Sequence, residues 1–126
     1  MTLRSSRAPR ESPGGLRRRL IGPAASAALA DTFKVLGDRT RVRMLDALSH
    51  AELCVGELAA VLELTESAVS HQLRLLRSMR LVRSRRAGRM IFYMLDDEHI
   101  VRLFRQGLEH VGESAPAGGR GRPDRP

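Results

Sequence analysis

One stretch limits the architecture of this chain more than any other. Residues 65 to 95, TESAVSHQLRLLRSMRLVRSRRAGRMIFYML, change their hydrophobic period half-way along. In the first half, Val69, Leu73 and Leu76 recur at helical spacing and form an inward face. Ser67, Ser70, His71 and Arg74 repeat at i, i+3, i+4, i+7 on the opposite side. In the second half, Val82 to Arg86 and Met90 to Leu95 are strand-like runs around Ala87-Gly88-Arg89, a hairpin with Gly in its turn. A two-faced helix followed directly by a basic hairpin leaves few folds available.

The residues before and after narrow the choice to one. Leu29, Phe33 and Leu36 sit at i, i+4, i+7 and predict a first amphipathic helix. Asp38 is a ready N-cap for a second helix, with Val42, Leu45 and Leu48 facing inward. Residues 52–62, ELCVGELAAVL, predict a short third helix with Val55, Leu58 and Leu62 inward, and Thr65 or Ser67 caps the fourth. Two short helices joined by a tight turn, the second with a small-polar and basic outer face, make a helix-turn-helix. The hairpin then becomes its wing, and DDEHIVRLFRQGLEHVGE at 96–113 closes the fold as a last helix. The expected fold is mainly α with a β-hairpin wing, a winged helix-turn-helix, over residues 24–113. Residues 1–23 form an Arg-rich arm and 114–126 a tail, both too polar and too rich in Pro, Gly and Ser to bury a core and expected to be disordered.

Composition matters mainly through charge. Of the 22 basic residues 21 are Arg, and the formal net charge is +8. The arm and the tail carry most of that excess, so the folded middle is near neutral but polarised. Between Ser67 and Leu95 there is no acid, while Arg74, Arg77, Arg80, Arg83, Arg85, Arg86 and Arg89 all fall there. One strongly basic quarter on a near-neutral domain points to a polyanion surface, the alternative being a solvated charged face. Aromatics at 3% and the absence of Trp require an aliphatic core, and a single cysteine excludes an intrachain disulfide framework and fits a reducing cytoplasm. No stretch approaches the ~20 apolar residues of a membrane-spanning helix. Arg17-Arg18-Arg19 followed by LIGPAASAALA resembles an export signal with cleavage after Ala30, but Gly22, Pro23 and Ser26 interrupt its apolar segment. An arm leading into the first helix is the better reading.

The outer face of the fourth helix suits a DNA groove. Small Ser67 and Ser70 allow close approach, His71 and Arg74 reach guanine N7 and O6, and Arg85, Arg86 and Arg89 near the wing tip supply salt-dependent contacts to phosphates. The runs ELCVGELA and LTESAVSHQLRLLRSMRLVRSRRAGRMIFYMLDDEHIV resemble the ArsR/SmtB family of metal-responsive bacterial repressors, most of all its zinc-sensing branch, over residues 27–113. The resemblance implies a homodimer built on the first and last helices. It also implies an unliganded dimer that binds operator DNA and lets go when metal binds, releasing metal-efflux or metal-sequestration genes. A departure is Arg39, where family members often carry Pro.

The family has two metal sites, and this sequence keeps the ligands of one. A thiolate site needs cysteines in the third-helix box and a Cys or His in the arm. Here Gly56 stands at the second cysteine's position, no Cys or His precedes His50, and Cys54 is expected to be a small buried hydrophobe. The other site matches Asp97, His99, His110 and Glu113, all on the last helix. His99 and His110 are eleven residues apart, so they face alike within roughly 20° but lie roughly 16 Å apart along the axis. One ion cannot bridge that distance. Antiparallel packing of the last helix across a two-fold axis brings Asp97 and His99 of one chain to His110 and Glu113 of the other. Two nitrogens and two oxygens then make a closed tetrahedral set, suited to Zn²⁺ and compatible with Co²⁺. Between them Val101, Phe104, Leu108 and Val111 form one apolar stripe and Ile100, Leu103 and Gly107 another, one for the body and one for the partner.

The sequence thus predicts a metal-sensing repressor and no enzyme. The alternatives are a repressor of this fold that answers another signal, with zinc structural only, and a zinc hydrolase. The hydrolase is disfavoured because four protein ligands leave no open position for water.

Overall fold

Aliphatic side chains at helical spacing build the core, and most helices begin where the sequence offers a cap. The computed structural model describes residues 10–112. The chain divides into two units, Met1–Phe33 and Lys34–Pro126.

In the first unit, α1 (Pro13–Arg17) is a single short helix with Pro at its start and the Ser12 hydroxyl accepting from Gly15 N at 3.1 Å. Arg19 pairs with Glu11 at 2.7 Å. The stretch expected to be a disordered arm, 1–23, therefore holds a capped helical turn among its described residues. Residues 1–9, Glu113 and the expected tail 114–126 lie outside the described residues. Helix α2 (Pro23–Leu36) again opens on Pro and runs unbroken through Ala28, Leu29 and Ala30. Leu29 and Phe33 stand exposed on it, while Leu36 packs against the core of the second unit.

The second unit is the winged helix body. Asp38 caps α3 (Arg39–His50) as expected, its carboxylate accepting from Arg41 N at 3.0 Å. The inward face of α3 differs from expectation. Met44, Leu45 and Leu48 are buried, and Val42 is exposed. Positions 44, 45 and 48 span about 100° of helix, and Val42 falls outside that arc.

Residues 52–62 do not form one helix. Leu53 and Cys54 are a short strand, β1 (Leu53–Cys54), and α4 (Val55–Leu62) starts after it. The local pattern misled because β1 hydrogen-bonds to a strand some forty residues later, with Leu53 opposite Tyr93 and Cys54 opposite Phe92. Helix α4 ends in a Schellman arrangement with Glu63 in the left-handed region (φ 59°), Leu64 N donating to Ala59 O at 2.9 Å. Thr65 then caps α5 (Glu66–Ser78) through Ala68 N at 3.0 Å. Val69, Leu73 and Leu76 of α5 are all buried, as their spacing predicts. A second Schellman arrangement ends α5, with Leu81 N on Leu76 O at 2.9 Å and Arg80 at φ 60°.

Strands β2 (Val82–Ala87) and β3 (Met90–Leu95) pair antiparallel around Gly88 and Arg89. Gly88, at φ 66°, takes the first central position of the two-residue turn, where a side chain would be strained. The sheet order is β1-β3-β2, so the wing is a three-stranded sheet and not a hairpin alone. The expected fold class holds: mainly α, with the hairpin as wing. Helix α6 (Glu98–His110) closes the fold, laying Ile100, Val101 and Phe104 on the core and leaving Leu103 and Val111 exposed. The two expected stripes are therefore redistributed, because α6 meets α3 and β3 chiefly through its N-terminal half. Among the described residues no polar or charged residue is buried, and the core is aliphatic, as the shortage of aromatics requires.

Candidate functional site

The surface expected to meet DNA rests on how α5 is held. Its inner face is fixed by the core, and Arg41 adds a polar tie to it, while Arg43 ties α3 to α4, the helix before α5, neither of which charge counting reveals. Arg41 donates from Nε to Gln72 Oε1 at 2.9 Å and from Nη1 to the Val35 carbonyl at 3.1 Å, joining the end of α2, the start of α3 and the middle of α5. Arg43 donates to the Leu62 carbonyl at 3.3 Å, at the C-terminus of α4, where a cation also suits the helix dipole. Sequence reasoning missed Gln72, which sits one position from His71 and keeps that part of the helix in place. Its only signal is an uncharged polar residue on an otherwise clean amphipathic boundary.

With α5 held this way, Ser67, His71 and Arg74 are exposed and Ser70 is half-buried at the margin of the same face. All three wing arginines are exposed, but Arg85 alone is also engaged within the chain. Its Nε lies 2.8 Å from Glu52 Oε1, and its guanidinium lies 5.2 Å from the centre of the Phe92 ring, directly across the sheet. Alternation along β2 turns Arg85 and Arg86 to opposite faces. Arg85 ties the wing to the segment entering β1 as well as adding charge.

At the other end of the unit, Asp97 caps α6. Its Oδ1 accepts from His99 N at 2.9 Å and Ile100 N at 3.2 Å, while His99 Nδ1 lies 3.4 Å from Oδ2. The Ile100 backbone N–H holds the Asp97 carboxyl below its ordinary 3.8; slight burial opposes this, and the His99 side chain and N–H reinforce it. The cap is strongest with the carboxylate ionised, so what it contributes to α6 is lost as pH falls through the lowered value. The cap turns Asp97 toward His99, which plain i, i+2 spacing in a helix would not do. The His99 side chain is 81% exposed and that of Asp97 51%. His110, the last residue of α6, is exposed as well. The structure thus brings Asp97 and His99 together and leaves His110 at the far end of α6. Among the described residues no three His, Cys, Asp or Glu side chains gather as a metal-binding group.

The Cys54 expectation needs correction. Cys54 is only partly buried and holds the N-cap of α4, its backbone N–H donating to Glu57 Oε1 at 3.0 Å. The strand at 53–54 moves it out of the helix and toward the sheet edge, and Glu57 is occupied as its cap partner.

The helix-turn-helix and wing agree with what comparison finds. The family model of bacterial regulatory proteins of the arsR family matches residues 38–84, from the cap of α3 into β2. The chain is 38% identical over 91 residues to a cadmium resistance transcriptional regulatory protein, a CadC homolog of Staphylococcus aureus, covering 71% of this chain and 75% of that one. The chain belongs to the ArsR family. It is also 50% identical over 86 residues to a transcriptional repressor SmtB homolog of Synechocystis, covering 68% of this chain and 65% of that protein, just under two thirds of its length. Among solved structures it resembles a homodimeric winged helix-turn-helix DNA-binding domain from Mycobacterium bovis, with a TM-score of 0.64 and 31% identity over 70% of this chain and 80% of that one. This ArsR-family chain has the winged helix-turn-helix fold. No helix among its described residues is long and apolar enough to cross a membrane.

Proposed function

We propose that this chain is a homodimeric, metal-responsive transcriptional repressor that binds operator DNA without metal and releases it when Zn²⁺ or Co²⁺ binds. The observation that carries the reading is the exposed Asp97–His99 pair at one end of α6, with an exposed His110 at the other end of the same helix. A helix carrying half a tetrahedral site at each end gains a use for both halves only when a second copy lies antiparallel to it. Asp97 and His99 of one protomer, with His110 and Glu113 of the partner subunit, are the proposed ligands. The donor set of two imidazoles and two carboxylates fits the chemistry of zinc, and the side chains of Asp97, His99 and His110 are accessible to it. Asp97, His99, His110 and Glu113 would hold the metal, which would supply a link between the last helices of two protomers and so favour one dimer geometry over another.

The chain's own residues account for the rest. Ser67, Ser70, His71 and Arg74 face the major groove, and Arg86 and Arg89 reach phosphates or the minor groove from the wing, with Arg85 bracing it. A tenfold loss of DNA affinity needs about 1.4 kcal/mol of coupling between the two sites. Relatives named for cadmium resistance do not make this a cadmium sensor, because a single cysteine per chain does not build a thiolate-rich site.

Fluorescence anisotropy of a duplex from the gene's own promoter tests the proposal. Tight binding is expected without zinc, lost on adding zinc and restored by a chelator. His99→Ala and His110→Ala are each expected to keep operator binding and to lose the zinc response. If either still releases DNA at the wild-type zinc concentration, the ligand assignment is wrong. Tight binding indifferent to zinc in the wild type would favour the second reading, a repressor answering another signal with zinc structural only.

A further inference from the structure

Three arginines beyond the residues assigned to base reading converge on one place. Arg77 at the end of α5, Arg80 in the turn after it and Arg83 on β2 line an open pocket of about 400 Å³, with Val82, Ser84 and Asp96 completing its walls. Among the described residues none of the three guanidinium groups is paired with a carboxylate, whereas Arg19 and Arg85 each have one. Asp96 is the one acid in the wall, so three cations face one anion. Arg83 is fixed by its Nε, which donates to the Asp96 carbonyl at 2.9 Å, leaving its four terminal N–H groups available. Gathering like charges around one space is unfavourable unless an anion shares it.

Arg80 adds a second observation. It occupies the left-handed position of the Schellman turn that ends α5, φ 60°, where Gly or Asn would be less strained. An arginine there costs backbone energy that its aliphatic stem does not recover, since the residue is exposed. The turn aims the chain from α5 into β2, so the pocket lies between the recognition helix and the base of the wing. Arg77 is one helical turn beyond Arg74 and continues its face.

We propose that Arg77, Arg80 and Arg83 form a site for a backbone phosphate of duplex DNA, clamped between the two elements that enter the grooves. The inference rests on the DNA-binding reading above and extends it to residues that read no base. A site of this kind contributes affinity and its salt dependence without sequence preference.

The test is the Arg77→Gln, Arg80→Gly double variant of the full chain, assayed by anisotropy on promoter and scrambled duplexes from 50 to 200 mM salt. Glycine at 80 relieves the left-handed strain, so the variant is expected to fold with a Tm not below the Arg77→Gln single variant. Its log–log salt slope is expected to fall in magnitude by about 1 per protomer engaged, a loss of about threefold over that salt range for each phosphate, equally on both duplexes. An unchanged slope overturns the phosphate site, as does a loss confined to the promoter duplex. If inorganic phosphate stabilises the wild type but not the variant while the DNA slope is unchanged, the pocket takes a small anion and the DNA assignment fails. A wild type that binds neither duplex would instead refute the DNA-binding reading itself, which separates the two failures.

Discussion

Asp97 carries two roles on one side chain. As the N-cap of α6 it satisfies two backbone N–H groups, and as a carboxylate beside His99 it is a proposed metal ligand. Two substitutions separate these roles. Asp97→Asn keeps a capping oxygen and is expected to leave the Tm close to that of the wild type, whereas Asp97→Ala removes the cap and should lower it. Both should lose the zinc response in the anisotropy assay while keeping operator binding. If Asp97→Asn responds to zinc as the wild type does, the carboxylate is a cap and nothing more. Arg85 is a similar lesson about reading residues singly. In sequence it is one of three wing arginines, and in the fold Glu52 and Phe92 hold it, so its charge is partly spent on the wing's own geometry.

Among the elements, α5 separates stability from the proposed recognition by face. Leu73 is 1% exposed and packs among the buried residues of α3 and α4. Leu73→Ala should cost about 3 kcal/mol, measured by chemical denaturation, because the space it leaves is walled by other elements and collapses only in part. His71, two residues earlier and exposed, should behave oppositely: His71→Ala is expected within about 0.5 kcal/mol of wild type yet to lower operator affinity. A large stability loss at His71 would mean that it packs and does not read DNA. The amphipathic pattern made both faces of α5 legible because a helix that buries one side repeats every 3.6 residues. The same logic failed at residues 52–62, where β1 depends on hydrogen bonds to Tyr93 and Phe92 that no local window contains.

For the whole molecule, the decisive surface is one that a single chain leaves uncovered. Leu103 on α6 and Val111 at its C-cap are 41% and 67% exposed, along the helix whose two ends carry the proposed ligands. Leu103→Asp places a charge on that surface without touching the core. Sedimentation should then show a shift from dimer toward monomer, together with loss of the zinc response, while thermal unfolding keeps its cooperativity. A dimer unaffected by the change would put the interface elsewhere.

The sequence by itself determined the winged helix-turn-helix, the inner and outer faces of α5, the cap at Asp38, and the family, and it narrowed the cap of α5 to Thr65 or Ser67. All of these follow from local periodicity, capping chemistry or a near-continuous motif. It also singled out the histidines of the last helix, since their eleven-residue spacing can be measured along one helix. Only the tertiary structure decided that Cys54 belongs to a sheet edge, that Met44 and not Val42 faces the core, that Arg41 reaches Gln72, and that Arg77, Arg80 and Arg83 share a pocket. Each of those depends on partners distant in sequence or on a chain reversal. There the side chain's direction is set by what packs against it rather than by its neighbours along the chain.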